Sequence, residues 1–130
     1  MTRRIVAAAF MMTMAIGSAG ATESIDCNDP QGRASVGLTV GSLPVLAVVG
    51  AHISVGHQEW AIGMDGDKAI ISGQAFQTGD QWLVDFTDPN VERVIAEVRL
   101  LSALENDEYV LAGTLKVPGV GAYPLVCVGP

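Results

Sequence analysis

The two histidines are the side chains of this sequence best suited to binding a metal or moving a proton near neutral pH. His52 and His57 are five residues apart. Two histidines on one strand face need an even spacing, and helical metal sites favour a spacing of three or four. Unless a turn at Gly56 brings them together, the pair makes no metal site. We interpret His52 as a strand residue, His57 as a turn residue, and both as candidate binding residues.

Acidic residues are numerous, but their spacing indicates no catalytic or metal centre. The run Asp65–Asp67 begins like a calcium loop, yet it passes into Lys68 and an apolar stretch, so we interpret it as a hairpin turn. Glu59, Asp85 and Glu97 fall within predicted strands, and nothing links them to one site. The sequence also lacks a G-x-S-x-G motif and a phosphate-binding glycine loop. We therefore predict no catalytic residue, no metal and no cofactor.

Aromatic side chains are few, and two of them are further candidates for binding. Exposed tryptophans can stack on sugar rings, whereas Trp60 and Trp82 both alternate with apolar neighbours on what we predict to be inward faces. Core packing is thus the alternative interpretation for both tryptophans. We keep Trp60 and Tyr123 with the histidines as candidate binding residues.

The first 21 residues have the pattern of a secretory signal peptide. The basic pair Arg3-Arg4 precedes an apolar run from Ile5 to Ile16, and Ala19-Gly20-Ala21 fits the small-residue cleavage pattern. An uncleaved anchor is the alternative, although a bilayer span needs roughly 20 apolar residues. We predict cleavage after residues 1–21 and one domain over 22–130. The mature protein is then soluble in the periplasm or medium of a bacterium, without stable membrane insertion.

The predicted export determines how the two cysteines are interpreted. In an oxidising compartment Cys27 and Cys127 have one possible intramolecular pairing, and their positions fit no metal or redox motif. We predict a disulfide between them, with Cys27 just before the first strand and Cys127 in the last.

The charge of the mature domain limits the partners it can have. Without the two signal-peptide arginines, five basic residues stand against fourteen acidic ones, a net charge of about −9. This charge repels nucleic acid and anionic lipid, so neither is an expected partner. A basic protein or a cell-envelope ligand is permitted. We expect a monomer.

Short apolar runs separated by turn signals about every ten residues predict an all-β domain. About eight strands with short connections favour an antiparallel up-and-down barrel, with a sandwich as the alternative. The run Val45–Val55 predicts one strand with its odd-numbered residues on a single face, and Asp65-Gly66 predicts a tight hairpin turn.

The stretch near 90–104 supports two interpretations. Asp88 could cap a short helix whose apolar stripe starts at Val91. Strict alternation from Glu92 to Leu100 and many β-branched residues instead favour a strand.

In predicted architecture alone, the chain is similar to the small envelope barrels that inhibit C-type lysozymes, which are basic enzymes. No stretch corresponds to the inhibitory loop of that family. The sequence favours a non-enzymatic binding or inhibitory module of the cell envelope. A small hydrolase or an apolar-ligand carrier is the alternative, with an interior lined by residues such as Ala47, Val49, Ala51, Ile53, Val98 and Leu100.

Overall fold

The computed structural model describes residues 22–41 and 45–129, so the predicted signal peptide lies outside the described residues. This part of the chain is all-β, with one turn of 3-10 helix at Gly66–Lys68. The strands are β1 Thr22–Asn28, β2 Ala34–Gly41, β3 Val48–Val55, β4 Gln58–Ala61, β5 Ile71–Thr78, β6 Gln81–Thr87, β7 Val94–Glu105, β8 Glu108–Val117 and β9 Gly121–Val128.

All nine strands belong to one antiparallel sheet that curls into a nearly closed barrel. Its order is β4-β3-β2-β1-β9-β8-β7-β6-β5, so each strand pairs with its sequence neighbour except at β4 and β5. The predicted all-β, up-and-down barrel is confirmed. There are nine strands rather than about eight because Thr22–Asn28, expected to be a lead-in, pairs with both β2 and β9.

Alternate side chains of the strands fill the barrel interior. In β2 the burial alternates from Ala34 to Val40, as the sequence pattern predicts for a half-buried strand. Trp82 also packs in the core, where it is 6% exposed. The largest fully buried side chains include Phe86, Ile25, Leu38, Ile53, Ile70, Leu100, Leu111, Leu115 and Leu125.

The Cys27–Cys127 disulfide is present, and it joins the first strand to the last. The two cysteines face each other in the ladder between β1 and β9, which pairs only Asp26, Cys27 and Asn28 with residues of β9. The expectation that Cys27 precedes the first strand is wrong, because the residues around it find partners on both sides. The bond therefore reinforces a three-residue ladder at the place where the two chain ends meet.

The predicted hairpin turn at Asp65-Gly66 is wrong. Asp65 precedes the 3-10 turn, and the segment after β4 crosses to β5 at the other edge of the sheet. β4 and β5 are the two edges of the sheet, and the opening of the barrel lies between them. One parallel bridge joins Ala61, at the end of β4, to Ala69, shortly before β5. Asp-Gly favours any tight turn that needs positive φ, and here Gly66, with φ of 66°, uses that freedom in a crossover.

The strand predicted from Val45 to Val55 is shorter than its apolar pattern. It begins at Val48, and its register against β2 shifts between Thr39 and Val40. The shift ends the alternation, so Val45 and Val49 are 73% and 56% exposed instead of facing inward.

The stretch near 90–104 is a strand, so the alternative of a short helix is wrong. Asp88 does cap this segment, but its carboxylate accepts the backbone N–H groups of Glu92 and Arg93 at 2.9 and 2.8 Å, which closes a loop. Val91 has a φ of 58°, outside helical geometry. The alternation that begins after this loop buries Ala96, Val98 and Leu100.

Candidate protein-binding surface

His52 lies on the outer face of β3, half exposed, beside a shallow depression of about 350 Å³. Its Nε2 atom is 3.7 Å from Oε1 of Glu59 on β4, which is longer than a hydrogen bond. Ser24, Asp26 and Thr39 line the same depression. This outer face therefore carries polar groups around a histidine.

The other two candidates from the same region do not line the depression beside His52. His57 is exposed in the turn between β3 and β4, while Trp60 on β4 is half-buried and packs against the edge of the core. The structure thus does not bring the two histidines together, and the Gly56 turn places His57 beyond the strand end. Among the described residues, no three His, Cys, Asp or Glu side chains are grouped to hold a metal ion.

Tyr123 lies at the end of the barrel formed by the turn between β1 and β2. It is half-buried on β9, and the guanidinium carbon of Arg33 is 5.3 Å from the centre of its ring, within cation–π range. Arg33 Nε also donates to Asp29 Oδ2 at 2.6 Å, and Asp29 Oδ1 accepts the backbone N–H of Gln31. These contacts hold the β1–β2 turn against the barrel.

The Asp29 carboxylate should make the free energy of unfolding depend on pH. Its hydrogen bond from Arg33 is the largest cause that lowers the pKa of Asp29 below its ordinary value of about 3.8, with a smaller contribution from the Gln31 N–H. The folded state therefore holds this proton less tightly than the unfolded state, and the stabilisation is present above pH about 4. It is lost as the pH falls through the folded pKa. We expect the free energy of unfolding to fall as the pH drops below about 4.

Denaturant titrations from pH 2 to 7 measure this effect, and a variant assigns it. Asp29→Asn keeps the shape but loses the charge, so we expect lower stability at pH 7 and a shallower pH dependence than in the wild type. Asp67→Asn, at an exposed carboxylate in the 3-10 turn, is the control and should retain the wild-type slope. A wild-type slope in the Asp29→Asn variant contradicts the assignment. Asp88, whose pKa is lowered chiefly by the Arg93 N–H, contributes in the same direction in every variant.

The feature that sequence reasoning missed is the projection of the β7–β8 hairpin beyond the rest of the sheet. β6 pairs with β7 only as far as Gln81 opposite Leu101, and β9 pairs with β8 only as far as Cys127 opposite Leu111. Ser102 still donates its backbone N–H to the carbonyl oxygen of Asp80 at 2.8 Å. Residues 103–110 therefore form a two-stranded extension. Its turn is Asn106-Asp107, with φ of 50° and 64°, the left-handed conformations that a tight two-residue hairpin requires.

Large apolar side chains are exposed on both faces of this extension. Leu104 and Tyr109 face each other on the side that continues the core, and they are 68% and 45% exposed. Val110 occupies the opposite side. Within residues 22–41 and 45–129, no neighbouring strand or opposing wall extends this far, so both faces are exposed. Together with exposed residues of the adjoining strands, they form what we call the hairpin patch: Leu101, Leu104, Tyr109, Val110, Val126 and Val128.

The hairpin patch borders an apolar depression on the outside of the barrel. This depression has a volume of about 330 Å³, and Leu83, Leu101 and Thr114 line it, with Arg99 at its edge. Arg99 is held there by Asp85, whose Oδ1 lies 2.7 Å from Nη1. Phe76 on β5 pairs with Leu83 on β6, extends the apolar surface and is 57% exposed. Contiguous exposed apolar surface is uncommon on monomers and marks contact sites.

Three carboxylates surround the turn of the hairpin. Glu105 ends β7, Glu108 begins β8, and the two form the pair next to the turn. Asp107 lies in the turn between them. All three are exposed. A sequence signal for this surface exists: apolar residues occupy both alternation phases on either side of the acidic turn, which a strand with one buried face does not need.

None of the described residues belongs to a helix of the length and apolarity that crossing a membrane requires. No protein-family model, no curated protein and no solved structure matches this chain. What the surface can do therefore follows from its geometry and chemistry: a disulfide-linked barrel presents an apolar hairpin with a charged turn.

Proposed function

We propose that this protein is an exported, non-enzymatic module of the cell envelope that binds a partner protein through the hairpin patch. The observation that carries the proposal is the projection of β7 and β8, which exposes Leu104, Tyr109 and Val110 together at one end. Exposing such side chains to water is unfavourable by about 25 cal/mol per Å² of apolar surface. A partner that covers them recovers that free energy.

The rest of the molecule suits a scaffold that holds a binding element. The disulfide and the packed interior make the barrel a fixed base from which the hairpin projects. A disulfide that joins the chain ends also supports an oxidising compartment, in keeping with the predicted signal peptide.

The two alternative functions have less support. Carriage of an apolar ligand inside the barrel needs room that side chains such as Phe86, Leu38 and Ile53 occupy. A hydrolase of the paired-carboxylate type needs free acidic groups at one site. Asp85 and Glu97, two of the predicted strand carboxylates, instead lie in ion pairs with Arg99 and Lys116 on the outer face.

Capture of the partner with two matched variants tests the proposal. Leu104→Ser/Val110→Ser removes the apolar contacts of the hairpin, and we expect the Kd to rise roughly a hundredfold, about 3 kcal/mol, because central apolar contacts dominate binding energy. Val94→Ser/Val120→Ser, at exposed valines of the opposite end, should bind like the wild type. The measurement is quantitative retention of envelope proteins on the immobilised mature protein, followed by titration of the retained species. Equal retention by the wild type and the hairpin variant would contradict the proposal, as would equal loss in both variants.

A further inference from the structure

Charge is distributed unevenly along the barrel axis. One end, which we call the hairpin end, is formed by the start of β1, the β5–β6 turn and the β7–β8 hairpin. It carries five acidic residues, and within the described ranges 22–41 and 45–129 it carries no lysine or arginine. These acidic residues are Glu23, Asp80, Glu105, Asp107 and Glu108.

The basic residues of the barrel lie elsewhere. Arg33 and Arg93 are in connections at the opposite end, and Lys68 is in the crossover between β4 and β5. Arg99 is midway along β7, and Lys116 is near the end of β8. The lysine and arginine side chains that form ion pairs form them with carboxylates outside the hairpin end. Those pairs join Arg33 to Asp29, Arg99 to Asp85 and Glu97, and Lys116 to Glu97.

The five carboxylates of the hairpin end thus have no lysine or arginine within ion-pair distance in the part of the chain that the structure describes. Mutual repulsion makes such a one-signed group unfavourable in the free protein. Two of these carboxylates lie within the hairpin patch region: Glu105 and Glu108 face each other across the hairpin, on the side that also carries Val110. A partner that covers the patch must therefore also meet this negative field.

We infer that the partner of the hairpin patch is a protein surface that combines lysine or arginine side chains with an apolar contact area. This inference rests on the proposed function and names its partner class. The carboxylates accelerate encounter through long-range attraction, and the apolar side chains slow dissociation once they are covered. An anionic or neutral partner would leave the five carboxylates desolvated without compensating charge.

A peptide of alternating lysine and leucine is the probe for this chemistry, because it carries both features without the identity of any natural partner. We expect it to shift the amide resonances of residues 101–111 and 126–128 in the mature protein. Two comparison peptides separate the contributions, one of alternating lysine and serine and one of alternating glutamate and leucine. The first should bind more weakly, and the second should not bind at the hairpin.

Two variants with the same change in net charge test the position of the effect. Glu105→Gln/Asp107→Asn/Glu108→Gln neutralises the turn of the hairpin, and we expect its affinity for the lysine–leucine peptide to fall about tenfold, mainly in the association rate. Asp65→Asn/Asp67→Asn/Glu92→Gln removes three exposed charges away from the hairpin end and should stay within about twofold of the wild type. In the wild type, the association rate should fall as salt rises.

Three results would overturn the inference: equal loss of affinity in both charge variants, binding of the glutamate–leucine peptide at the hairpin, or resonance shifts confined to the opposite end. Its failure is distinguishable from failure of the proposed function. If Leu104→Ser/Val110→Ser abolishes capture of the natural partner while the neutralised hairpin captures it normally, the binding surface stands and the cationic partner is rejected. If Leu104→Ser/Val110→Ser captures normally, the proposed function is rejected.

Discussion

Removing the Cys27–Cys127 disulfide should lower the free energy of unfolding by up to about 4.7 kcal/mol, the value for a closed loop of about 100 residues. The two cysteines are separated by 100 positions, so the bond constrains nearly the whole unfolded chain. In a domain of this size, such a loss corresponds to a decrease in Tm of roughly 15 °C or more. The effect should be large because the bond supports a ladder of only three paired residues between β1 and β9.

Thermal and denaturant unfolding with and without reductant measure this loss. The variant Cys27→Ala/Cys127→Ala is the control for reagent effects, because it should unfold like the reduced wild type and show no response to reductant. A decrease of less than about 1 kcal/mol on reduction would mean that the ladder between β1 and β9 holds without the bond.

Gly113→Ala should be the most damaging single methyl addition in the β7–β8 ladder. Gly113 on β8 lies opposite Leu100, and a Cβ atom at this position would overlap the backbone carbonyl oxygen of Arg99. It would also lie only 2.8 Å from the Leu100 Cα atom. These are backbone atoms, so neither can rotate away, and the two strands must separate. We expect a loss of about 3 kcal/mol in the free energy of unfolding.

Gly37→Ala is the matched control, because Gly37 also lies within a paired strand but has space beside it. The nearest atom to an added Cβ is Oδ1 of Asp26, at an ordinary contact distance of 3.5 Å. We expect this variant to stay within about 1 kcal/mol of the wild type, and it can be more stable because alanine restricts the unfolded chain. Equal stability of the two variants, measured by urea denaturation, would contradict close packing at Gly113. Gly113→Ala should also weaken partner binding, since β7 and β8 hold the hairpin.

Much of the fold was predictable because the local patterns and the global structure agree. Alternation in β2 and β6, short turns and a single possible cysteine pairing led to a small antiparallel barrel with a disulfide. Alternation also identified the strand over Val94–Glu105 against a competing helical stripe. Side chains with period-two burial can face a core only as strands, so this signal is strong wherever one face is buried.

The errors share a physical cause, which is that local sequence does not encode pairing over long distances. Asp65-Gly66 fits a turn of either kind, and only the position of β4 and β5 at opposite sheet edges makes it a crossover. The shifted register between β2 and β3 likewise exposes Val49, although its alternation predicted burial. Thr22–Asn28 is a strand because β2 and β9 lie on either side of it.

The candidate site was less predictable than the fold. His52, His57, Trp60 and Tyr123 were chosen by side-chain type, and the structure distributes them over β3, a turn, β4 and β9. The hairpin patch consists of leucines, valines and one tyrosine, and these residue types by themselves indicate no binding site. Their exposure follows from where β6 and β9 end, and that is a property of neighbouring strands.

By itself, the sequence determined the β class, the cysteine pairing and the acidic balance, because each of these depends on residue type and local spacing. Only the tertiary structure shows that β7 and β8 extend beyond β6 and β9. It also shows that carboxylates without a lysine or arginine partner lie together at the hairpin end. Neighbouring strands in a sheet need equal lengths only where they pair, so residues 103–110, which pair only with each other, are free to serve a different purpose. We infer that this purpose is binding.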